Sequence, residues 1–271
     1  MTQEITFTDI EANICTIARM TEEDKLYFVQ MWGPPLFAVL LAKRMRLPNV
    51  GYWVEEGGIA PSPEFPLTRQ MLSPSRSHYR SVAWASMNVV FAHAALGHAD
   101  YGILSAVQVD RFGNFNSSIL GTDYEKPERR FGGPGGANEI ASLCWRTIIM
   151  TKLEKRKFVE RVDFISSPGY LDGTPGARER AGLPPNTGPY KIVTERALFG
   201  FDEKTHQMRL DAVAPWSSVE DVLERMEFKP LIADKLDVLE PPTAEELTII
   251  RAEIDPAGYT LNRGERLTAT V

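Results

Sequence analysis

The chain has 271 residues, of which 43% are hydrophobic and 24% are charged, and its formal net charge is −6. This composition excludes a disordered or fibrous protein, and the length suffices for one large α/β domain with a full core. A mildly acidic chain is a poor candidate for nucleic-acid binding, which requires a basic face. Residues 1–19 lack a signal-peptide pattern, and no run approaches the roughly 18 apolar residues of a membrane span. We therefore expect a cytoplasmic protein that binds neither membrane nor nucleic acid.

The first part of the sequence predicts a β-α-β unit. Hydrophobic periodicity, β-branched and aromatic runs and turn residues place its elements, which are a helix at residues 7–19, a strand at 25–30, a helix at 36–46 and a strand at 50–54. Thr8 or Asp9 can cap the first helix. Two strands joined by a helix imply a parallel pair with a right-handed crossover.

Later elements alternate with loops rich in glycine and proline. They are helices at residues 82–96 and 139–143, and strands at 102–109, 147–150, 162–165, 192–194, 198–202 and 208–213. Capping boxes that begin at Ser217 and Thr243 predict two C-terminal helices. With no repeat or clear linker, we predict a single domain over residues 1–271, with 215–271 as a helical C-terminal appendage.

Two adjacent glutamates form the first candidate site. Glu55 and Glu56 directly follow an apolar strand and precede two glycines. Ligands of an open parallel sheet bind beyond the carboxyl ends of its strands. If the strand continued, the two side chains would point to opposite faces, and one of them would face the crevice. The alternative is a solvated strand end with two ordinary surface carboxylates.

The second candidate is the glycine-rich loop at residues 132–136, which leads into a helix. Free backbone N–H groups at such a loop suit a phosphate or the oxyanion formed from a thioester carbonyl. The loop matches neither the P-loop nor the dinucleotide fingerprint. A tight structural turn is the alternative.

The third candidate is the polar segment at residues 108–116, whose side-chain amides follow a buried strand; an ordinary turn is the alternative. No metal site is predicted, because the four histidines form no ligand pattern. Cys15 and Cys144 also lack ligand spacing and are expected to be buried.

These three segments, in this order, resemble the β subunit of glutaconate CoA-transferase, a family I CoA-transferase. Val54–Gly57 resembles a V-E-S-G element of that family, residues 108–117 its QxDxxGNxNS segment, and residues 133–138 its GSGGAN loop. The similarity continues at residues 154–158, 167–173, 176–184, 201–205, 217–223 and 250–256. Glu56 and Pro134 stand where the family has serine, and these departures bear on the acid substrates more than on the fold.

The resemblance implies an open, mainly parallel α/β sheet flanked by helices, with the family I CoA-transferase fold. It implies Glu55 as the catalytic residue, forming a covalent glutamyl-CoA thioester. Oxyanion or CoA contacts are expected from Gly133, Gly135, Gly136, Asn116 and Asn138.

The same resemblance implies a homologous α subunit in an α2β2 or α4β4 assembly. Coenzyme A and acyl-CoA are then substrates, and no cofactor or metal is bound permanently.

Two other functions stay open. Relatives with the same fold act as ring-cleaving CoA-thioester hydrolases or as decarboxylases, although those relatives lack the glutamate that this chain keeps. A non-catalytic subunit that only stabilises an α partner is the third possibility.

Overall fold

The computed structural model describes residues 4–30, 33–67 and 78–270. The chain divides into two compact units. The first comprises Met1–Ile103 and Glu240–Val271, and the second comprises Leu104–Leu239. The prediction of one domain for the whole chain stays a prediction.

The described strands and helices are numbered here in chain order. The strands are β1 (Glu4–Thr8), β2 (Leu26–Val29), β3 (Gly51–Val54), β4 (Gly58–Ile59), β5 (Ala83–Trp84), β6 (Tyr101–Ser105), β7 (Gln108–Val109), β8 (Phe115–Asn116), β9 (Ile119–Leu120), β10 (Arg129–Arg130), β11 (Arg146–Met150), β12 (Pro189–Val193), β13 (Ala197–Phe201), β14 (Met208–Val213), β15 (Leu231–Val238) and β16 (Arg266–Thr270). The α-helices are α1 (Asp9–Met20), α2 (Pro34–Met45), α3 (Met87–Ala95), α4 (Ala137–Leu143), α5 (Ala177–Arg180), α6 (Val219–Glu224) and α7 (Ala244–Ile249). A π-helical turn at Ile250–Ile254 follows α7, and a 3-10 turn lies at Leu261–Arg263.

The first unit contains the predicted β-α-β unit, which is confirmed. Its strands run in the order β6-β2-β3-β4-β5, with β2 parallel to both β3 and β6. The short strands β4 and β5 extend the sheet in antiparallel pairing. Helix α2 is buried along eight successive residues, Pro35 to Ala42, as expected of a helix that is apolar on all sides. It packs against α1 and supports the sheet whose strand β3 leads to Glu55.

Helix α1 begins with a capping box at Thr8, one of the two residues that the sequence offers as its cap. The side chain of Thr8 accepts from the N–H of Glu11 at 3.2 Å, and the carboxylate of Glu11 accepts from the N–H of Thr8 at 2.7 Å. Glu11 also binds Arg251 at 2.6 Å. Together with the antiparallel pair of β1 and β16, this ion pair ties the two ends of the chain to one unit.

The second unit carries strands in the order β15-β14-β13-β12-β11. The outer pairs β11–β12 and β14–β15 are parallel, and the pairs between them are antiparallel. Two small antiparallel pairs, β7–β8 and β9–β10, complete it. The predicted α/β fold class, a sheet flanked by helices, is confirmed, and its strand pairing is mixed.

Several local predictions differ from the structure. Residues 162–165 form no strand, because this segment lies in an irregular loop whose Asp163 carboxylate accepts from Gln108 and from the N–H of Gly121. Helix α6 is capped by Ser218 and not by Ser217, whose hydroxyl instead donates to Asp221 at 2.7 Å. The capping box at Thr243 is confirmed.

The C-terminal segment, residues 215–271, is mixed in structure. It contains α6, α7 and the two helical turns, but also β15 and β16. The edge strand β15 pairs in parallel with β14, and β16 pairs with β1. Strand β15 therefore belongs to the sheet of the second unit, whereas β16 belongs to the first unit.

Candidate functional site

Glu55 lies in a tight turn at the carboxyl end of β3. The strand residues Tyr52 to Val54 are buried, and the N–H of Gly57 donates to the carbonyl of Val54 at 3.0 Å. Glu55 and Glu56 are therefore the two central residues of a β-turn, and both are half-buried. The strand ends at Val54, so the condition under which the two glutamates would alternate across a continuing strand is not met.

Gly57 closes this turn because no other residue fits there. Its φ is +109°, and a Cβ on it would stand 1.9 Å from the carbonyl oxygen of Ala85. The N–H of Ala85 in turn donates to the carbonyl of Gly57 at 3.0 Å. The ring of His78 covers the next residue, Gly58, and lies 2.5 Å from the point that a Cβ on Gly58 would occupy. Backbone contacts thus hold the glutamate turn in place within the first unit.

The Glu56 carboxyl group is in an unfavourable environment for a charge. Its Oε2 atom is buried and has no hydrogen-bond partner among the described residues. Burial raises the pKa of Glu56, a hydrogen bond from its own backbone N–H partly opposes this rise, and the neighbouring charge of Glu55 adds to it. The charged form of the Glu56 carboxyl is therefore disfavoured relative to that of an ordinary glutamate.

The glycine-rich loop of the second unit presents free backbone amides. The N–H of Ala137 donates to the carbonyl of Pro134 at 2.9 Å across a turn. The central residues of this turn are Gly135, with a φ of +54°, and Gly136, with φ −75° and ψ −2°, which is the pattern of a type II′ turn. In the described part of the chain, nothing accepts a hydrogen bond from the N–H groups of Gly133, Gly135 or Gly136. These amides can therefore bind an anionic oxygen.

Asn116 is fully buried and already engaged inside the second unit. Its amide nitrogen donates to Gln108 Oε1 at 2.7 Å and to the carbonyl of Ile119 at 2.5 Å. Its Oδ1 accepts from the N–H of Ser118 at 2.9 Å and from the hydroxyl of Ser166 at 3.3 Å. These bonds hold β7, β8 and the turn after them together. A contact between Asn116 and a ligand stays a prediction, and at 0% exposure it requires a rearrangement.

Ser166 joins two of the predicted site residues. Its hydroxyl accepts from the N–H of Ser117 at 3.0 Å and lies 2.6 Å from the hydroxyl of Ser118. Its carbonyl accepts from the side-chain amide of the exposed Asn138 at 2.8 Å. The helix after the glycine loop is thus tied through Ser166 to the segment around Asn116. The sequence gives no specific signal for Ser166, which precedes the Ser167-Pro168-Gly169 match.

Asp110 and Asn114 organise a neighbouring loop of the second unit. Asp110 Oδ1 accepts from the N–H groups of Phe112 and Asn114 at 3.0 and 3.1 Å. Asn114 Oδ1 accepts from the N–H groups of Gly169 and Leu171 at 2.9 and 3.0 Å. Burial raises the pKa of Asp110 to about 6, against the lowering effect of these hydrogen bonds. The polar segment predicted as a ligand contact is therefore largely a structural network.

Arg178 is a buried cation that the sequence patterns did not single out. It is 4% exposed, and its guanidinium donates to the carbonyls of Gly169, Ala141 and Ser142 and to the hydroxyl of Thr187. Burial lowers the pKa of Arg178 to about 10. Because Ala141 and Ser142 lie in the last turn of α4, this cation stabilises the C-terminal end of the helix that follows the glycine loop.

The predicted site residues fall in both units. Glu55 lies in the first unit, and Gly133, Gly135, Gly136, Asn116 and Asn138 lie in the second. Among the residues described, no group of three or more His, Cys, Asp or Glu side chains is arranged to hold a metal ion. Within the same residues, no helix combines the length and the apolar composition needed to cross a membrane.

Comparison with known proteins decides the family. The coenzyme A transferase family model matches residues 83–225. A glutaconate CoA-transferase chain from Acidaminococcus fermentans is 38% identical over 257 residues, covering 92% of this chain and 93% of that protein. The chain belongs to the coenzyme A transferase family. Its fold agrees, because a crystal structure of glutaconate CoA-transferase from A. fermentans matches with a TM-score of 0.85 and 36% identity over 94% of this chain and 97% of that one.

Two further relatives show how this family varies. A 3-oxoadipate CoA-transferase chain from Pseudomonas knackmussii is 35% identical, over 58% of this chain and 59% of that protein. The IpdB chain of a cholesterol ring-cleaving hydrolase from Mycobacterium tuberculosis is 31% identical, over 65% of this chain and 68% of that protein. The resemblance to the glutaconate CoA-transferase family, inferred from short motifs, is confirmed over almost the whole length of this CoA-transferase chain.

Proposed function

We propose that this chain is the β-type subunit of a CoA-transferase that moves CoA between an acyl-CoA and a free carboxylic acid through a covalent thioester on Glu55. The observation that carries the proposal is the position of Glu55 in a backbone-fixed turn at the carboxyl end of a buried parallel strand. This is the edge of a sheet at which ligands of α/β proteins bind.

The chemistry needs a carboxylate nucleophile and no external energy, because donor and product are both thioesters. A Glu55 oxygen attacks the acyl-CoA carbonyl carbon, and the C–S bond breaks to give an acyl-glutamyl anhydride and CoA thiolate. The thiolate then attacks the glutamyl carbonyl and releases the donor acid. An acceptor carboxylate reverses these steps and leaves with the CoA.

Each of these attacks forms a negatively charged tetrahedral oxygen. We assign its stabilisation to the N–H groups of Gly135 and Gly136, which have no acceptor in the described part of the chain. Gly133 precedes these amides in the loop, and Asn138 follows them in the first turn of α4. Asn116 supports this region through Ser166.

A homologous α subunit is part of the proposal. The A. fermentans relative, which matches this chain over 93% of its own length, is one subunit of a CoA-transferase that has more than one kind of chain. We propose that this chain acts with an α-type partner in an α2β2 or α4β4 assembly, and that CoA enters and leaves as a substrate. The cytoplasm, where acyl-CoA is available, is the location that we propose.

The test is reconstitution with and without the partner. The purified chain is mixed with an α-type chain from the same organism, with acetyl-CoA as donor and glutaconate or 3-oxoadipate as acceptor, and new acyl-CoA is measured by chromatography. We expect transfer only from the mixture, and none when Glu55→Ala replaces the wild-type chain. Full transfer by the β-type chain alone, or by the Glu55→Ala mixture, contradicts the proposal.

Ring-cleaving hydrolysis is the second candidate, and the IpdB similarity is the observation that favours it. A hydrolase consumes its thioester without an acceptor acid and without a covalent enzyme–CoA adduct. Turnover that does not depend on the acceptor, in an enzyme that keeps its rate after Glu55→Ala, would establish this second function.

A further inference from the structure

Glu56 is held next to the proposed nucleophile in an environment that does not suit a carboxylate. The bond from the N–H of Gly57 to the carbonyl of Val54 fixes both glutamates in one turn. Oxygen Oε2 of Glu56 is buried, and no described residue donates a hydrogen bond to it. A buried oxygen without a donor costs far more free energy when the group is charged than when it is neutral.

Nearby charges do not compensate for this burial. Glu55 is the one charged group of the described residues that acts on the Glu56 carboxyl, and its negative charge disfavours a second one. Among the described residues, His78 is a titratable side chain close to this turn, and its ring covers Gly58. Burial lowers the pKa of His78, which disfavours a positive charge on its imidazole. Burial, with the like charge of Glu55, outweighs the hydrogen bond from the backbone N–H of Glu56, and the pKa of Glu56 is raised.

We propose that Glu56 is a positioning residue that keeps its proton while Glu55 reacts as the carboxylate. The inference rests on the proposed function of Glu55. Two adjacent, interacting carboxyl groups lose their protons in two separate steps. In this proposal Glu55 carries the charge, and the neutral Glu56 leaves a single negative charge in the turn. A second charge there would repel the tetrahedral oxyanion that each attack creates.

The pH dependence of kcat/KM tests this assignment in the complete enzyme with its α-type partner. The substrates are the most active pair from acetyl-, succinyl- and glutaryl-CoA with glutaconate or 3-oxoadipate. For the wild type we expect a rise with the ionisation of Glu55 and then a fall of about tenfold per pH unit as Glu56 loses its proton. In Glu56→Gln and Glu56→Ser the side chain of residue 56 is uncharged at every pH, so we expect the pH profiles of both variants to lack the descending limb.

Glu245→Gln is the matched control, because Glu245 is an exposed glutamate of the same unit. Its profile should overlay that of the wild type. A wild-type profile without a descending limb, or a limb that persists in both Glu56 variants, overturns the role of Glu56. A purely structural role would lower the rate of both variants equally at every pH and leave the shape unchanged.

Borohydride trapping separates this inference from the function on which it rests. Wild-type enzyme that turns over without any adduct on Glu55 removes the proposed function. An adduct on Glu55 together with unchanged pH profiles in Glu56→Gln and Glu56→Ser removes only the role of Glu56.

Discussion

The carbonyl oxygen of Ala85 stands 1.9 Å from the position that a Cβ on Gly57 would occupy. Because Gly57 ends the turn that carries Glu55 and Glu56, this close approach connects the packing of β5 to the placement of the proposed nucleophile. A side chain at residue 57 must displace one of the two backbones. Stability and activity are therefore coupled at this glycine.

Gly57→Ala is expected to lower both stability and activity. The positive φ alone costs about 1–2 kcal/mol for a residue with a Cβ, and the overlap with Ala85 adds to this. Thermal unfolding and transfer assays check the prediction. Gly132→Ala is the control, because residue 132 is exposed and has no atom within 4 Å of a Cβ. Equal melting temperatures for the two variants would show that the turn can relax without loss.

Gly136→Pro tests the role of a single backbone amide. Proline removes the N–H group, while its ring fits the observed φ of −75°. If this amide binds the tetrahedral oxygen, kcat should fall about 10²–10³-fold. Gly136→Ala keeps the amide and should retain most of the rate. A Gly136→Pro enzyme that is stable and as fast as Gly136→Ala would remove this amide from the mechanism.

Asn116→Ala is expected to destabilise the fold more than it affects substrate binding. The substitution leaves the N–H of Ser118 without its acceptor, at about 1–3 kcal/mol for a buried group, and removes one of the two hydrogen bonds to Gln108 Oε1, which keeps the N–H of Asp163. Urea unfolding measures the loss, with Asn88→Ala on the exposed face of α3 as the control. Wild-type stability combined with a raised KM for acyl-CoA would instead show that Asn116 contacts the substrate.

Asp110 should make the stability of the fold depend on pH. Its pKa is raised from 3.8 to about 6 in the folded chain, so the stabilisation is fully present below the unfolded value and is lost as the pH rises through about 6. The loss amounts to roughly 3 kcal/mol. Asp110→Asn removes this dependence, so its stability relative to the wild type should increase from about pH 4 to about pH 7.

Asp172→Asn is a control, because the pH dependence of stability that Asp172 contributes has the opposite sign to that of Asp110. Hydrogen bonds from Thr174 lower the pKa of the exposed Asp172, which therefore contributes stability that is lost as the pH falls. Denaturant unfolding across the pH range gives both curves. Parallel wild-type and Asp110→Asn curves would show that the hydrogen bonds of Asp110 offset its burial.

Local sequence patterns predicted the β2-α2-β3 unit. They could not predict the pairing of strands that lie far apart in the sequence. Each of those three elements has its own periodicity and is bounded by turn residues. The pairing of β1 with β16 joins Glu4 to Thr270, at opposite ends of the chain. No local pattern contains that partner, so residues 215–271 were expected to be helical.

Local sequence patterns likewise predicted only part of the candidate site. The turn glycines and the carboxylate after β3 are visible as a local motif. Whether an amide such as that of Asn116 faces a ligand or the interior depends on Ser166, fifty residues away. Similarly, Arg178 lies in a charged segment that suggests exposure, but its guanidinium donates to carbonyl groups of two other segments and to the hydroxyl of Thr187.

Mass spectrometry of the trapped enzyme tests the central claim most directly. The chain and its α-type partner are incubated with the best acyl-CoA donor, reduced with borohydride and digested. We predict that the carboxyl group of Glu55 is reduced to an alcohol in the presence of acyl-CoA, and not in its absence or in the presence of the free acid alone. An unmodified residue 55 in an enzyme that is turning over, or reduction at a different carboxyl group, would contradict the account.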